Sequence, residues 1–294
     1  MYLIIGANGY LGSYIIKNIL DSTTENIVAT ARTLPNGYIN KRVKWIQLDI
    51  TDNLSINKMS VLSSSYEKIK VVYLAAYHKP DLVQKNPRVA WNVNVIALAK
   101  VLNTLENVEC FFYSSTDSVY GESQNGYHFK ENDVLNPVNT YGIQKKTAEA
   151  LVNGFGYNVV RFPFLIGRSI LKQKKHFFDT IYETLAQNDK MEMFYDSFRS
   201  ALDFDTVSDI LVSLMETYRK TYPKIVNISG DEDLSKYDIG IMLAKQYGFD
   251  TKLVSPISIK ENKAIFETPR AGSTLMDNTL IKSVLGVQKI VIKL

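Results

Sequence analysis

Tyr2-Leu3-Ile4-Ile5-Gly6-Ala7-Asn8-Gly9-Tyr10-Leu11-Gly12, at the amino end of the 294-residue chain, is the stretch whose reading decides the fold. Four apolar residues form a short strand pattern, a glycine turn follows, and Leu11, Tyr14, Ile15, Asn18 and Ile19 then recur at mostly helical spacing. The glycines stand as G-x-x-G-x-x-G. Gly6 permits a tight turn, Gly9 lets backbone N–H groups approach a pyrophosphate, and Gly12 lets the helix pack closely on the strand. Strand, glycine turn and helix in that order point to a dinucleotide site.

The same alternation continues outward from this stretch. Strands are expected at Ile27 to Ala31, Val43 to Leu48, Val71 to Leu74, Phe111 to Tyr113 and Val159 to Phe162. Helices are expected near Asn53 to Tyr66, Pro87 to Leu105 and Tyr141 to Val152. Parallel strands need crossovers, and helices then cover both faces, so the fold class is α/β with a Rossmann-type doubly wound parallel sheet. Residues 1–165 are expected to form the dinucleotide-binding domain. Beyond Gly167 the alternation fails, apart from a helix near Phe177 to Leu185, so residues 166–294 are read as a smaller substrate-binding α/β unit, with a return of the chain to the sheet left open. The Lys172, Lys174 and Lys175 run reads as a solvated loop.

Composition narrows the function. Apolar residues make up 46% and charged residues 22%, which excludes disordered and fibrous chains. A net charge of +4, from 34 Lys and Arg against 30 Asp and Glu, is too small and dispersed for a nucleic-acid footprint. The single cysteine, Cys110, allows no internal disulfide and no cysteine-rich zinc site, so the cytoplasm is the expected compartment. No long apolar run suggests a membrane span, and no metal site is expected.

Chemistry is concentrated at three places. After the second strand no carboxylate stands ready for a ribose 2′-hydroxyl; Arg32 offers a cationic fork suited to a 2′-phosphate, so NADPH is expected, with NADH left open. Asp49, after the third strand, is a candidate acceptor for the adenine amino group. Tyr141 and Lys145 in Tyr141-Gly142-Ile143-Gln144-Lys145 lie one helical turn apart, where an ammonium favours the ionised phenol and tunes it for acid-base work. Ser114-Ser115-Thr116-Asp117-Ser118-Val119-Tyr120-Gly121 follows the fifth strand, at the carboxyl edge where doubly wound sheets bind ligands, so Thr116 is expected to hydrogen-bond a substrate carbonyl beside Tyr141.

These residues resemble the extended short-chain dehydrogenase/reductase superfamily over nearly the whole chain, and within it the dTDP-4-dehydrorhamnose reductase group. The glycine turn, Leu74-Ala75-Ala76-Tyr77, Val93-Asn94, Ser115-Thr116-Asp117 and Tyr141-Gly142 with Lys145 carry the likeness in order. So does Pro269-Arg270-Ala271-Gly272-Ser273-Thr274-Leu275-Met276-Asp277, similar to the group's R-P-x-x-S-x-L-D signature. The resemblance implies Thr116, Tyr141 and Lys145 as the catalytic trio. It implies Gly6, Asn8, Gly9, Tyr10, Leu11, Arg32, Asp49, Ile50, Leu74, Ala75, Ala76, Asn94, Tyr141, Lys145 and Phe162 around the dinucleotide. Thr116, Asp117, Ser118, Phe164 and Arg270 would face a nucleotide-sugar substrate, Arg270 as a diphosphate clamp. The implied activity is NADPH-dependent reduction of a nucleotide-linked 4-keto-6-deoxy sugar in polysaccharide biosynthesis, with a homodimer left open.

Other chemistries on this scaffold are separated by single residues. Ser118 stands where a 4,6-dehydratase carries its glutamate base, and Cys110 precedes Thr116 within the strand as a small buried hydrophobe rather than an epimerase acid. An NAD-dependent C4 epimerase needs only Thr, Tyr and Lys, and stays open, although Arg32 argues against NAD. A non-catalytic dinucleotide-binding regulatory subunit stays open as well. Ala271 in place of the signature proline, Ser118 for a tyrosine and Phe164 for a tryptophan alter the sugar-facing wall, and His78 after the fourth strand reads as a loop histidine without catalytic duty, with substrate contact left open.

Overall fold

The computed structural model describes residues 1–37, 40–171, 174–262 and 265–294, so Lys172 of the lysine run lies outside the described residues. Seven parallel strands form the central sheet: β1 (Tyr2–Ile5), β2 (Ile27–Ala31), β3 (Val43–Gln47), β4 (Ile69–Tyr73), β5 (Val108–Thr116), β6 (Asn158–Phe162) and β7 (Ile225–Asn227). Their spatial order is β7-β6-β5-β4-β1-β2-β3, with the order reversing beside β1. That reversal leaves a crevice at the strands' carboxyl ends, directly after the glycine turn.

Strands buried on both faces need apolar residues at every position, and neighbouring residues then serve opposite cores. Ile4, Val72, Phe112 and Val160 enter one core; Leu3, Ile5, Val71, Phe111 and Val159 enter the other. The first core is closed by α1 (Tyr10–Ser22) through Ile15 and Ile19. The second is closed by α2 (Asn53–Ser64), α3 (Ala97–Thr104) and α4 (Thr140–Gly154), which present Met59, Leu98 and Ala148.

The single helix expected over Pro87 to Leu105 is composite. It runs Pro87–Trp91, then a π segment Asn92–Ile96, then α3, and a separate helix Pro80–Lys85 precedes it. Pro87 interrupts there because it has no N–H to donate and disfavours helical backbone in Asn86.

Residues after Gly167 make two different contributions. A third core of Phe178, Ile181, Met193, Ile239, Leu243 and Val254 unites α5 (Phe177–Ala186), α7 (Lys236–Tyr247) and the paired strands Met191–Phe194 and Val254–Ile257. Between them, α6 (Phe204–Glu216) packs Val207, Leu211 and Leu214 into the α1 core, and β7 then pairs with β6 in parallel. The chain thus leaves the sheet, returns to it and leaves again. No helix among the described residues is long and apolar enough to cross a membrane.

Candidate functional site

A cleft of about 980 Å³ opens over the carboxyl ends of β1, β4, β5 and β6, with the lobe built by α5 and α7 on its far side. At its inner end Gly6 adopts φ +86°, and a Cβ there would stand 2.6 Å from the Ala75 nitrogen, so only glycine fits this turn. Helix α1 starts from Gly9 with no side-chain cap and no acidic residue in its first turn. Its leading N–H groups and positive dipole end therefore face the cleft uncompensated, a cradle that a dinucleotide's pyrophosphate fits. Asn8 holds the turn by donating from Nδ2 to the Thr33 carbonyl at 2.7 Å.

Local packing assembles the polar wall. Thr116 ends β5 and caps the turn Asp117–Val119, accepting from the Ser118 N–H at 3.2 Å while its Oγ1 donates to Asp117 Oδ1 at 2.9 Å. Asn139 caps α4 through the Gly142 N–H at 3.0 Å. A Cβ on Gly142 would lie 2.5 Å from the Ser118 carbonyl oxygen, so its absence lets α4 seat against that turn and brings Tyr141 to the same cleft as Thr116. Farther along α4, Glu149 accepts from Ser115 Oγ at 2.5 Å and pairs with the buried Arg161 of β6 at 2.6 Å. This pair locks α4 to two strands at once.

Lys145 is 3% exposed and donates from Nζ to the Tyr113 hydroxyl at 2.9 Å and the Ser114 carbonyl at 2.5 Å. Burial lowers its pKa to about 7, a trend that Glu149 opposes. The expected tuning of Tyr141 toward ionisation is not what the environment produces. Burial raises the Tyr141 pKa well above its ordinary value, and the Asp117 carboxylate adds to the rise. Burial also lowers the pKa of the ammonium that was to favour the phenolate. The phenol therefore stays protonated near neutral pH.

Gly6, Gly9, Tyr10, Leu11, Leu74, Thr116, Asp117, Ser118, Tyr141, Phe162, Phe164 and Arg270 all line the cleft, as does His78. Asn8, Arg32, Asp49, Ile50, Ala75, Ala76, Asn94 and Lys145 are not among the residues that line it. Asn94, 2% exposed, accepts from the Tyr77 N–H at 2.7 Å and donates to the Tyr77 carbonyl at 3.1 Å, holding the loop after β4, and donates to Gln144 on α4 at 2.7 Å. Asp49 turns its Oδ1 to the N–H and hydroxyl of Thr51, at 2.9 and 2.7 Å. Arg32 is exposed, and its side chain forms no ion pair or hydrogen bond among the described residues. Its charge reaches Lys174, whose Nζ donates to the Asn8 carbonyl at the glycine turn. Arg270 is engaged already: Nη2 donates to Asp81 Oδ2 at 2.8 Å. Cys110 is buried within β5, and burial pushes its thiol up to about 12, in keeping with a packing role.

Sequence reasoning missed Arg199 and Lys236, which line the cleft from the far lobe, and the ring cluster of Tyr10, His176 and Phe204 at the glycine turn. Arg199 lies 3.3 Å from Asp117 through Nε and donates to the carbonyls of Gly272 and Ala271 at 2.8 and 2.9 Å. The Pro269–Asp277 stretch thereby crosses the cleft as a strap. It is fastened on its other side where the Ser123 N–H donates to the Ser273 carbonyl at 2.8 Å. Apart from local hydrogen bonds from Arg199 to the Phe198 carbonyl and the Ser197 hydroxyl, these cations meet the cleft through tertiary contacts that no local pattern marks.

The RmlD substrate binding domain family matches residues 1–290. The chain belongs to this family. Among curated proteins, this family member is similar to methionine adenosyltransferase 2 subunit beta of Xenopus tropicalis, 25% identical over 96% of this chain and 81% of that one. In fold it is similar to the dTDP-4-dehydrorhamnose reductase of Bacillus anthracis solved with NADP, at TM-score 0.79 and 19% identity, covering 99% of this chain and 94% of that one. It is equally similar to the UDP-glucuronic acid 4-epimerase of Bacillus cereus solved with UDP-glucuronic acid and NAD, at TM-score 0.81, 19% identity and the same coverage.

Proposed function

We propose that the protein is an NADPH-dependent reductase of a nucleotide-linked 4-keto-6-deoxy sugar. The observation that carries this reading is a neutral phenol at the half-buried Tyr141, on the same cleft as the Thr116 hydroxyl and the uncapped start of α1. NADPH, when bound, supplies the hydride. Gly6, Gly9, Tyr10 and Leu11 would hold its pyrophosphate, and Arg32 its 2′-phosphate. Tyr141 would give its proton to the carbonyl oxygen as negative charge develops there, and Thr116 would polarise that oxygen by redirecting its hydroxyl from Asp117. Lys145 would be the reservoir that limits the charge left on the phenolate, because an amine near neutrality both takes and releases protons at working pH. The lobe built on α5 and α7 would close over the sugar nucleotide, with the Arg270 strap at its edge.

A second reading, a dinucleotide-binding subunit without turnover, is favoured by the similarity to a protein named as a subunit of methionine adenosyltransferase. Loss of reduced-nicotinamide absorbance, followed with NADPH and a panel of 4-keto-6-deoxy sugar nucleotides, separates the two. Steady consumption is expected. Saturable NADPH binding with no consumption for any substrate supports the subunit reading, whereas NAD retained through purification together with interconversion of C4 isomers supports an epimerase.

A further inference from the structure

Among the described residues beyond Gly167, five cations line the cleft: Lys174, Lys175, Arg199, Lys236 and Arg270. Four have donors engaged: Lys174 donates to the Asn8 carbonyl, and Lys175 pairs with Glu183 at 2.7 Å. Arg199 is divided between Asp117 and the strap carbonyls, and Arg270 is held by Asp81 with its guanidinium 5.4 Å from the Phe266 ring. Lys236 differs. Among the described residues its Nζ has no hydrogen bond and no ion pair, and its recorded neighbours are the ring faces of Phe177 at 5.2 Å and Phe164 at 5.9 Å. Ring faces attract and orient an ammonium, but they leave its three N–H bonds without oxygen acceptors.

The helix position itself does not favour a cation. Lys236 opens α7, where the dipole's positive end disfavours positive charge. The helix start is already satisfied by the reciprocal cap of Ser235 and Asp238. Burial and the like charges of Arg199 and Arg270 lower the Lys236 pKa, so both desolvation and repulsion act against the charged form. An anion entering the cleft would relieve all of these together.

We propose that Lys236, without an oxygen partner among the described residues, pairs with the anionic diphosphate oxygens of the sugar nucleotide. The proposal rests on the reading that this cleft takes a nucleoside-diphosphate sugar. It also assigns Arg270 a different duty from the diphosphate clamp its motif implies: holding the strap to Asp81.

Titration calorimetry of the NADPH-loaded protein with UDP, dTDP, UDP-glucose and UDP-glucuronic acid tests it, comparing wild type with Lys236→Met and Lys236→Arg. The Met variant is expected to weaken binding about tenfold, the loss of one charge-assisted contact, and the Arg variant to keep most of the affinity. Weakening shared by every ligand the wild type binds supports the proposal, and weakening confined to UDP-glucuronic acid would place the lysine at the sugar and overturn it. The melting temperature reports whether Lys236→Met folds normally, and Lys236→Gln replaces it if it does not. Equal affinities for wild type and the uncharged variant, or no binding of any of the four ligands by wild type, overturn the proposal. Binding through Lys236 without NADPH consumption would remove the reductase reading alone. Consumption unaffected by the loss of the lysine, with unchanged affinities, would remove this one alone.

Discussion

Arg199 Nε stands 3.3 Å from Asp117 Oδ2, joining the end of β5 to the far lobe across the cleft. Asp117 is 7% exposed, and burial raises its carboxyl pKa even with Arg199 opposing the rise. Removing the guanidinium by Arg199→Met would leave a buried carboxylate without its counter-charge and free the strap carbonyls. A loss of about 3 kcal/mol of stability is expected. The denaturant midpoint measures it, and an unshifted midpoint would show that the pair holds nothing together.

Tyr141→Phe removes one hydroxyl without changing the shape of the cleft wall. Turnover should fall by roughly 10²- to 10⁴-fold, the usual cost of losing a general acid, while NADPH affinity stays close to that of the wild type. Fluorescence titration with NADPH beside steady-state rates separates these quantities. A variant that turns over normally would move the proton-donor role to another group.

Lys145 links the site to pH. Its pKa is about 7 in the fold against 10.5 when exposed. Below about pH 7 the amine is charged in both states, and its burial weighs fully against folding. Between about 7 and 10.5 the unfolded chain binds more protons, so this residue makes stability rise with pH across that window. Lys145→Met abolishes the titration, so relative to wild type its melting temperature should be more favourable at pH 6 than at pH 9. Parallel melting curves across pH for the two proteins would contradict the depressed pKa.

Cofactor choice is expected to follow Arg32. Arg32→Asp places a carboxylate where a 2′-phosphate would be repelled and a free 2′-hydroxyl could donate. The ratio of kcat/KM for NADPH to that for NADH should exceed one in wild type and fall below one in the variant. Equal efficiencies in the wild type would make Arg32 a surface charge only, with Lys174 at the glycine turn the next cation to test.

The sequence by itself determined the parts of this protein that depend on neighbours in the chain. A strand, a glycine turn and a helix are set by apolar spacing and by backbone freedom at Gly6, and Tyr141 and Lys145 share a helix because four residues make about one turn. For the same reason six of the seven central strands were legible. The seventh, Ile225–Asn227, is three residues long and earns its place only by pairing with β6, so no local pattern announces it. The charge states were equally out of reach: adjacency suggested that Lys145 would ionise Tyr141, whereas burial of both groups keeps the phenol protonated and the amine near neutrality. Tertiary structure alone set Arg270 on Asp81, Arg199 on Asp117, and Lys236 without a partner among the described residues. Each of these depends on which distant segments share the cleft and on how much water they exclude, and desolvation is a property of the assembled fold rather than of any stretch of chain.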